Sequence, residues 1–286
     1  MNKLYKTLVY DKQISLSVLD TTDMVNEAIR IHNLSPVCSA ALGRTLTVCT
    51  YMSSGLKSEK DKLSVTVAGD GPIGKITVCG NGFLQMRGSV DNPSVDLPLK
   101  PNGKLDVGGA VGKGRLTVVK SMGLKEPYSG SAKLVSGEIA EDFTAYYAYS
   151  EQQPTAIALG VKIGKDGKCL GAGGVILTVL PYAEEKNLVK AEEVMKNFSD
   201  VSTKIQTLGV EGIIEKYFKN DLGEQVSKYY PEYKCLCSDD YVKGILVSLG
   251  KKELLDIIEK EGEISVDCEF CRKKYKYNEK DVESFF

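Results

Sequence analysis

The chain is poor in the residues from which most catalytic and charge-driven functions are built. Of its 286 residues one is a histidine, His32, and none is a tryptophan. With Ser35 and Cys38 as the nearest nucleophile-type side chains, and no elbow or triad spacing around them, that single imidazole argues against a hydrolase. Net charge is missing too: 37 basic against 38 acidic residues leave −1, so no overall field draws the chain to nucleic acid. No run approaches the ~20 apolar residues of a membrane span. Nor does Met1-Asn2-Lys3-Leu4-Tyr5-Lys6 lead into an apolar signal core. A reducing, cytoplasmic compartment is therefore expected, and a disulfide framework is not.

What the chain has is core material and punctuation. A hydrophobic content of 42% supports one good-sized domain with one or two smaller ones. Up to about Pro181 the signals are mostly β: Ile14–Leu19 and Leu63–Val67 alternate with period two. Gly69–Gly74, Gly80–Gly82 and Gly164–Gly167 read as connections between strands. Helices are expected at about Asp23–Asn33, Pro36–Met52 and Glu138–Ser150, so residues 1–181 form an α+β domain with β-sheets and packed helices. Residues 182–232 change to charged helices. There Leu188, Ala191, Met195 and Phe198 make one apolar stripe, and Val210–Phe218 a second helix.

The remainder, 233–286, carries the most specific signal. Cys235-Leu236-Cys237 and Cys268-Glu269-Phe270-Cys271 place four soft ligands in two close pairs, the donor set of a closed, structural or regulatory zinc site. The first pair is tighter than the usual Cys-x-x-Cys and can also close into a disulfide if the backbone bends. Cys38, Cys49, Cys79 and Cys169, each alone among apolar or small residues, read as core hydrophobes. Ser238 is placed to cap a helix with Asp239 and Asp240 in its first turn, and Gly250 to end it. A second helix at about Lys252–Glu261 leads into a strand at Ile264–Val266, the second cysteine pair, and a returning strand at Tyr275–Tyr277. So short a module depends on its metal for much of its folding free energy.

Other motifs are weaker. Gly108–Gly114 lacks the Gly and Ser/Thr that a phosphate loop needs at Val107 and Gly114. The basic run Arg272-Lys273-Lys274-x-Lys276 is placed to offset the charge of the thiolates. Two rival functions stay open. A zinc-ribbon nucleic-acid module is opposed by 10 basic against 12 acidic residues over 234–286. A thiol–disulfide oxidoreductase is opposed by a Cys-x-x-Cys that follows helices instead of opening a βαβ unit.

The cysteine array with Ser238, Gly71–Ile76, Arg87-Gly88-x-Val90-x-Asn92-Pro93, Gly112-Lys113-Gly114-x-Leu116 and Pro127-Tyr128-x-Gly130 together resemble the heat shock protein 33 (33 kDa chaperonin) family, across essentially the whole chain. The resemblance implies a cytoplasmic, redox-regulated, ATP-independent holdase chaperone, not an enzyme. While reduced it would be an inactive monomer whose Cys235, Cys237, Cys268 and Cys271 hold one zinc per chain. Oxidation would join Cys235 to Cys237 and Cys268 to Cys271, release the metal, unfold the tail and loosen the linker. A homodimer would then hold unfolding client proteins, with no nucleic-acid or membrane partner. In this reading residues 1–181 bind clients and dimerise, 182–232 are a helical linker, and 233–286 are the zinc redox switch. One departure is that Asp239, Asp240 and Tyr241 stand where relatives often carry basic residues, which bears on the threshold of activation.

Overall fold

Strands form where the period-two pattern is strongest. In the computed structural model, which describes residues 1–123 and 125–286, β1 (Lys3–Val9) and β2 (Ile14–Asp20) make a hairpin turned by Tyr10, Asp11 and Lys12 at φ of 53°, 57° and 62°. Then come α1 (Thr22–His32) and α2 (Pro36–Ser53). Ser35 caps α2 by accepting from the Cys38 N–H, and Pro36 sits where no N–H is needed. Next are β3 (Lys62–Gly69), β4 (Lys75–Asn81), β5 (Gln85–Val90), α3 (Val107–Val111), β6 (Gly114–Ser121) and β7 (Tyr128–Lys133). The helix α4 (Ala140–Tyr146) runs on into a π-helical turn at Tyr147–Glu151, followed by β8 (Thr155–Ile163) and β9 (Cys169–Val179). Beyond them lie α5 (Glu185–Met195), α6 (Val201–Phe218), β10 (Ser227–Tyr229) and β11 (Glu232–Tyr233).

Two sheets result, ordered β10-β1-β2-β9-β8 and β11-β5-β4-β3-β6-β7. Their pairings are antiparallel except β11 on β5. The helix α2 is apolar nearly all round and packs on strands of both sheets, as a helix without a polar face must. Its buried Thr45, Thr47 and Thr50 return their hydroxyls to the carbonyls of Ala41, Gly43 and Leu46, each at 2.8 Å, so these three hydroxyls are satisfied within the apolar layer. Cys38, Cys49 and Cys169 are buried in this core, and the half-buried Cys79 lies in β4.

The other face of the first sheet is covered by α5 and α6. Ala191, Phe198, Val201, Ile205, Ile213 and Phe218 bury there against Val9, Ile14, Leu16, Val18 and Leu177. Each large side chain so buried contributes roughly 1.5–3 kcal/mol. Of the expected stripe, Ala191 and Phe198 are buried and Leu188 and Met195 partly so. Close approach needs Gly171, where a Cβ would lie 2.4 Å from the Ser202 carbonyl oxygen. The helix expected over Val210–Phe218 is the second segment of α6, set off from a first segment, 201–208, by the non-helical Gly209 at φ 65° and ψ −177°. The chain past Phe218, read from sequence as helical, instead pairs β10 with β1 and β11 with β5, since open sheet edges override local preference.

The chain divides into the units Met1–Tyr233 and Lys234–Phe286. The second contains α7 (Asp239–Leu249), α8 (Lys251–Glu261), the hairpin β12 (Ile264–Asp267) and β13 (Lys274–Tyr277), and α9 (Glu279–Glu283). Its core is small: Val242, Leu246, Leu254, Ile264, Tyr275, Tyr277 and Val282 are the buried side chains among the described residues. The fold class is thus α+β, as the sequence predicts.

One ion pair ties the first strand to the kinked helix. Lys3 Nζ and the Tyr5 hydroxyl donate to Glu211 Oε1 at 2.6 and 2.8 Å. The Lys3 hydrogen bond holds the Glu211 carboxyl down at about 2, against an ordinary 4.5. A depressed carboxylate contributes stability above its unfolded pKa and loses it as pH falls through the folded one. Wild type should therefore lose this contribution between about 4.5 and about 2. In Glu211→Gln the acid limb of a urea-stability-versus-pH curve should be flatter in that window; the effect is small, because the carboxylate side chain is 52% exposed.

Candidate metal centre

Local sequence delivers the four cysteines to one place. Cys235 and Cys237 lie on the extended run before α7, whose start is fixed by Ser238, with its hydroxyl accepting from the Tyr241 N–H at 3.1 Å. Cys268 and Cys271 lie on the turn between β12 and β13. That turn is closed by Arg272 N–H to Cys268 O at 2.8 Å and Cys268 N–H to Lys273 O at 2.9 Å, with Arg272 at φ 58°. The hairpin register, Asp267 opposite Lys274, aims both sulfurs at the first pair.

The four Sγ atoms all lie within 4.8 Å of one another. Contacts run crosswise between the pairs, Cys235 to Cys268 at 3.6 Å and Cys237 to Cys271 at 3.3 Å. Tetrahedral zinc at ~2.3 Å from each sulfur implies S···S separations of about 3.8 Å, so this cluster has the size and the donor chemistry for it. All eight cysteines are free thiols, and Cys38, Cys49, Cys79 and Cys169 take no part in the cluster.

Electrostatics make the same demand for a cation. Burial pushes the Cys235 and Cys271 thiols up. Burial acts on Cys237 too, but the Tyr275 hydroxyl and the neighbouring thiols outweigh it and bring Cys237 down to about 7. Tyr275 donates to Cys237 Sγ at 3.2 Å, and that bond raises its own phenol. One sulfur can thus be anionic near neutrality while its neighbours resist, and four thiolates require a bound cation.

The surroundings correct one expectation. Instead of facing the sulfurs directly, Lys274 pairs with Asp267 at 3.7 Å and Lys276 with Glu263. Lys273 lies over the Tyr275 ring at 4.8 Å, so its charge reaches the cluster through the ring that hydrogen-bonds Cys237. Sequence reasoning had Tyr275 and Tyr277 only as strand residues. Tyr277 in fact donates to Asp239 Oδ1 at 2.9 Å, bracing the α7 start. The signal was there in the alternation Tyr-x-Tyr, which puts both rings on the face that follows the knuckle inward.

The glycine-rich run is no phosphate cradle. Its N–H groups are taken by carboxylates: Gly108 by Glu138, Gly109 by Asp106 and Lys113 by Asp70.

Comparison with known proteins gives a consistent result. Residues 2–278 match the family described as Hsp33 protein. The chain is 44% identical over 269 residues to the 33 kDa chaperonin of Ruminiclostridium cellulolyticum, covering 92% of this chain and 90% of that one. It is 42% identical over 286 residues to the 33 kDa chaperonin of Alkaliphilus oremlandii, covering 98% and 95%. The crystal structure of the 33 kDa chaperonin (heat shock protein 33 homolog) of Thermotoga maritima superposes with a TM-score of 0.91 at 34% identity, covering 99% of this chain and 97% of that one.

The Tyr275 contact yields a test of the site. Tyr275→Phe removes a hydrogen bond to a ligating sulfur while keeping the ring, and should weaken zinc about 10–100-fold in chelator competition. Unchanged affinity in this variant would show that the hydroxyl does not tune Cys237.

Proposed function

This chain belongs to the Hsp33 family, and we propose that it is a redox-regulated, ATP-independent holdase, without enzymatic activity, acting in the cytoplasm. The observation that carries the reading is the convergence of four free thiols in a unit with a minimal core. Cys235, Cys237, Cys268 and Cys271 would hold one zinc in the reduced chain. When bound there, the ion supplies a closed cross-link between the two cysteine pairs and keeps the sulfurs deprotonated.

The chain's own residues do the rest. Thiolate is the form an oxidant attacks, and all four cysteines are only half-buried. Each disulfide takes two electrons from two thiolates and reduces one peroxide to water. Pairing Cys235 with Cys237 and Cys268 with Cys271 then leaves no thiolate to bind metal. With ~10–16 kcal/mol of apparent metal stabilisation withdrawn from a core good for only about 3–5, residues 233–286 unfold.

Loss of order at Lys234 removes the continuation of β11, the two-residue edge strand next to it in sequence. From there it would spread back through the linker, 182–232, whose apolar stripe includes Ala191 and Phe198. In this reading residues 1–181, with that stripe, receive the unfolding client and make the homodimer of the active form, while the reduced chain is a monomer. Nucleic acid and membrane have no role; among the described residues no helix is long and apolar enough to cross a membrane.

The decisive experiment measures three things on one set of samples. Reduced, zinc-loaded protein should leave a heat-denaturing client free to aggregate, whereas protein treated with hypochlorite, or with peroxide and mild heat, should suppress the light scattering without ATP. The treated samples should have released about one zinc per chain, the stoichiometry of a closed four-thiolate site, and mass mapping should find Cys235–Cys237 and Cys268–Cys271. Hydrogen exchange should show protection lost from Lys234 onward and kept in β1–β9. Equal suppression by both forms, or turnover of insulin reduction, would return the chain to the unregulated or oxidoreductase readings.

A further inference from the structure

A second polar site lies in the first unit. A cavity of about 230 Å³ opens beside the C-terminal end of α2, lined among others by Lys6 of β1, Tyr51, Lys57, Lys120 of β6, Tyr147 and Glu151. Its charges do not balance: three ammonium groups face one carboxylate. Lys120 is paired with Glu151 at 2.7 Å, and the Tyr146 hydroxyl donates to the same carboxylate oxygen at 2.7 Å.

Lys6 is the unusual member. Its half-buried ammonium donates to the Ser54 hydroxyl at 3.2 Å and lies 5.8 Å from the Tyr51 ring centroid. The carbonyl end of α2 favours a cation here, which accounts for the position of the side chain. A hydroxyl and a ring face leave two of its three protons without a strong acceptor. Burial accordingly pushes the Lys6 pKa down, with no carboxylate opposing the shift. Lys12, the next cation along the hairpin, is paired with Glu224 at 2.9 Å, so that carboxylate is engaged elsewhere. Lys57 stands exposed at the mouth of the cavity.

The backbone of the opposite wall is irregular. Tyr147–Glu151 is a π-helical turn, and it ends on Gln152 at φ 52° and ψ 35°, a left-handed conformation held by a residue other than glycine. A π turn inserts an extra residue into a helix and re-aims the side chains after it, and such turns recur at functional sites. Here it brings Glu151 to Lys120 and Tyr147 to the cavity wall.

We propose that this cavity binds a small oxyanion, a carboxylate or a phosphate, whose charge is met by Lys6 and Lys57 while Lys120 stays paired with Glu151. The flat walls of Tyr51 and Tyr147 leave room for a short apolar or aromatic body behind a carboxylate.

The test uses the full, reduced, zinc-loaded chain. Inorganic phosphate, acetate and benzoate are titrated separately against sodium chloride at matched ionic strength, with backbone amide shifts of Lys57, Lys120 and Gln153 as the readout. Saturable shifts with phosphate alone identify a phosphate site, and with acetate or benzoate a carboxylate site. Lys6→Met should weaken that binding about tenfold or more, the loss of one charge-assisted hydrogen bond. Lys57→Met, at an exposed position that does not endanger folding, should weaken it measurably as well. Shifts that never saturate and match those of chloride, or an affinity untouched in both variants, overturn the proposal.

Discussion

The constraint on which the second unit turns is a set of four sulfur atoms that cannot all be anionic together without a cation. In the unit Lys234–Phe286 the thiols of two distant pairs lie within 4.8 Å, and only seven buried apolar side chains among the described residues support them. A core of that size supplies about 3–5 kcal/mol, less than the ~10–16 kcal/mol apparent value of a structural zinc site. The sulfurs are therefore the cross-link of the unit and its reactive group at once. Chemistry at them is a change in folding free energy.

The first unit is built on the opposite principle. Its helix α2 is buried along nearly its whole length, and both faces of β2 are covered, so burial alone stabilises it. Its last residue, Tyr233, is held in place: the hydroxyl donates to Gly88 O at 2.9 Å and lies 3.4 Å from His32 Nε2. The one imidazole of the chain is thus engaged in structure, 5% exposed beside α1's end. The boundary between the two units falls at a single peptide bond, immediately after that anchor.

Much of this was legible in the sequence, for physical reasons that differ by region. The alternation of Ile14–Leu19 and the turn glycines located strands because sheet geometry has a period of two, and Ser238 located α7 because an N-cap is a local chemical device. Cys235, Cys237, Cys268 and Cys271 stood out because metal coordination needs short spacings. The partners of these groups were not legible. That β10 and β11 are strands depends on free edges contributed by β1 and β5, more than 140 residues earlier in the chain. The break at Gly209 shows in the sequence only as an apolar pattern that starts at Val210, and the segment before it, 201–208, is not set apart. Tyr275 beside Cys237, and the cations that turn away to Asp267 and Glu263, are tertiary facts with no periodic trace.

The arrangement of the sulfurs sharpens what oxidation must do. Close contacts run across the pairs, Cys235 with Cys268 and Cys237 with Cys271, separated by 33 and 34 positions in the chain, while all four sulfurs lie within 4.8 Å of one another. Disulfides between those partners would close long loops and replace one cross-link by another, restricting the unfolded chain and keeping the unit folded. Bonds within Cys235-Leu236-Cys237 and within Cys268–Cys271 close loops of a few residues, which restrict almost nothing. They consume the thiolates and leave the two halves of the unit untied. If oxidation is the switch proposed above, pairing within each motif is therefore the outcome that would loosen the unit, and pairing across the motifs the one that would keep it tied.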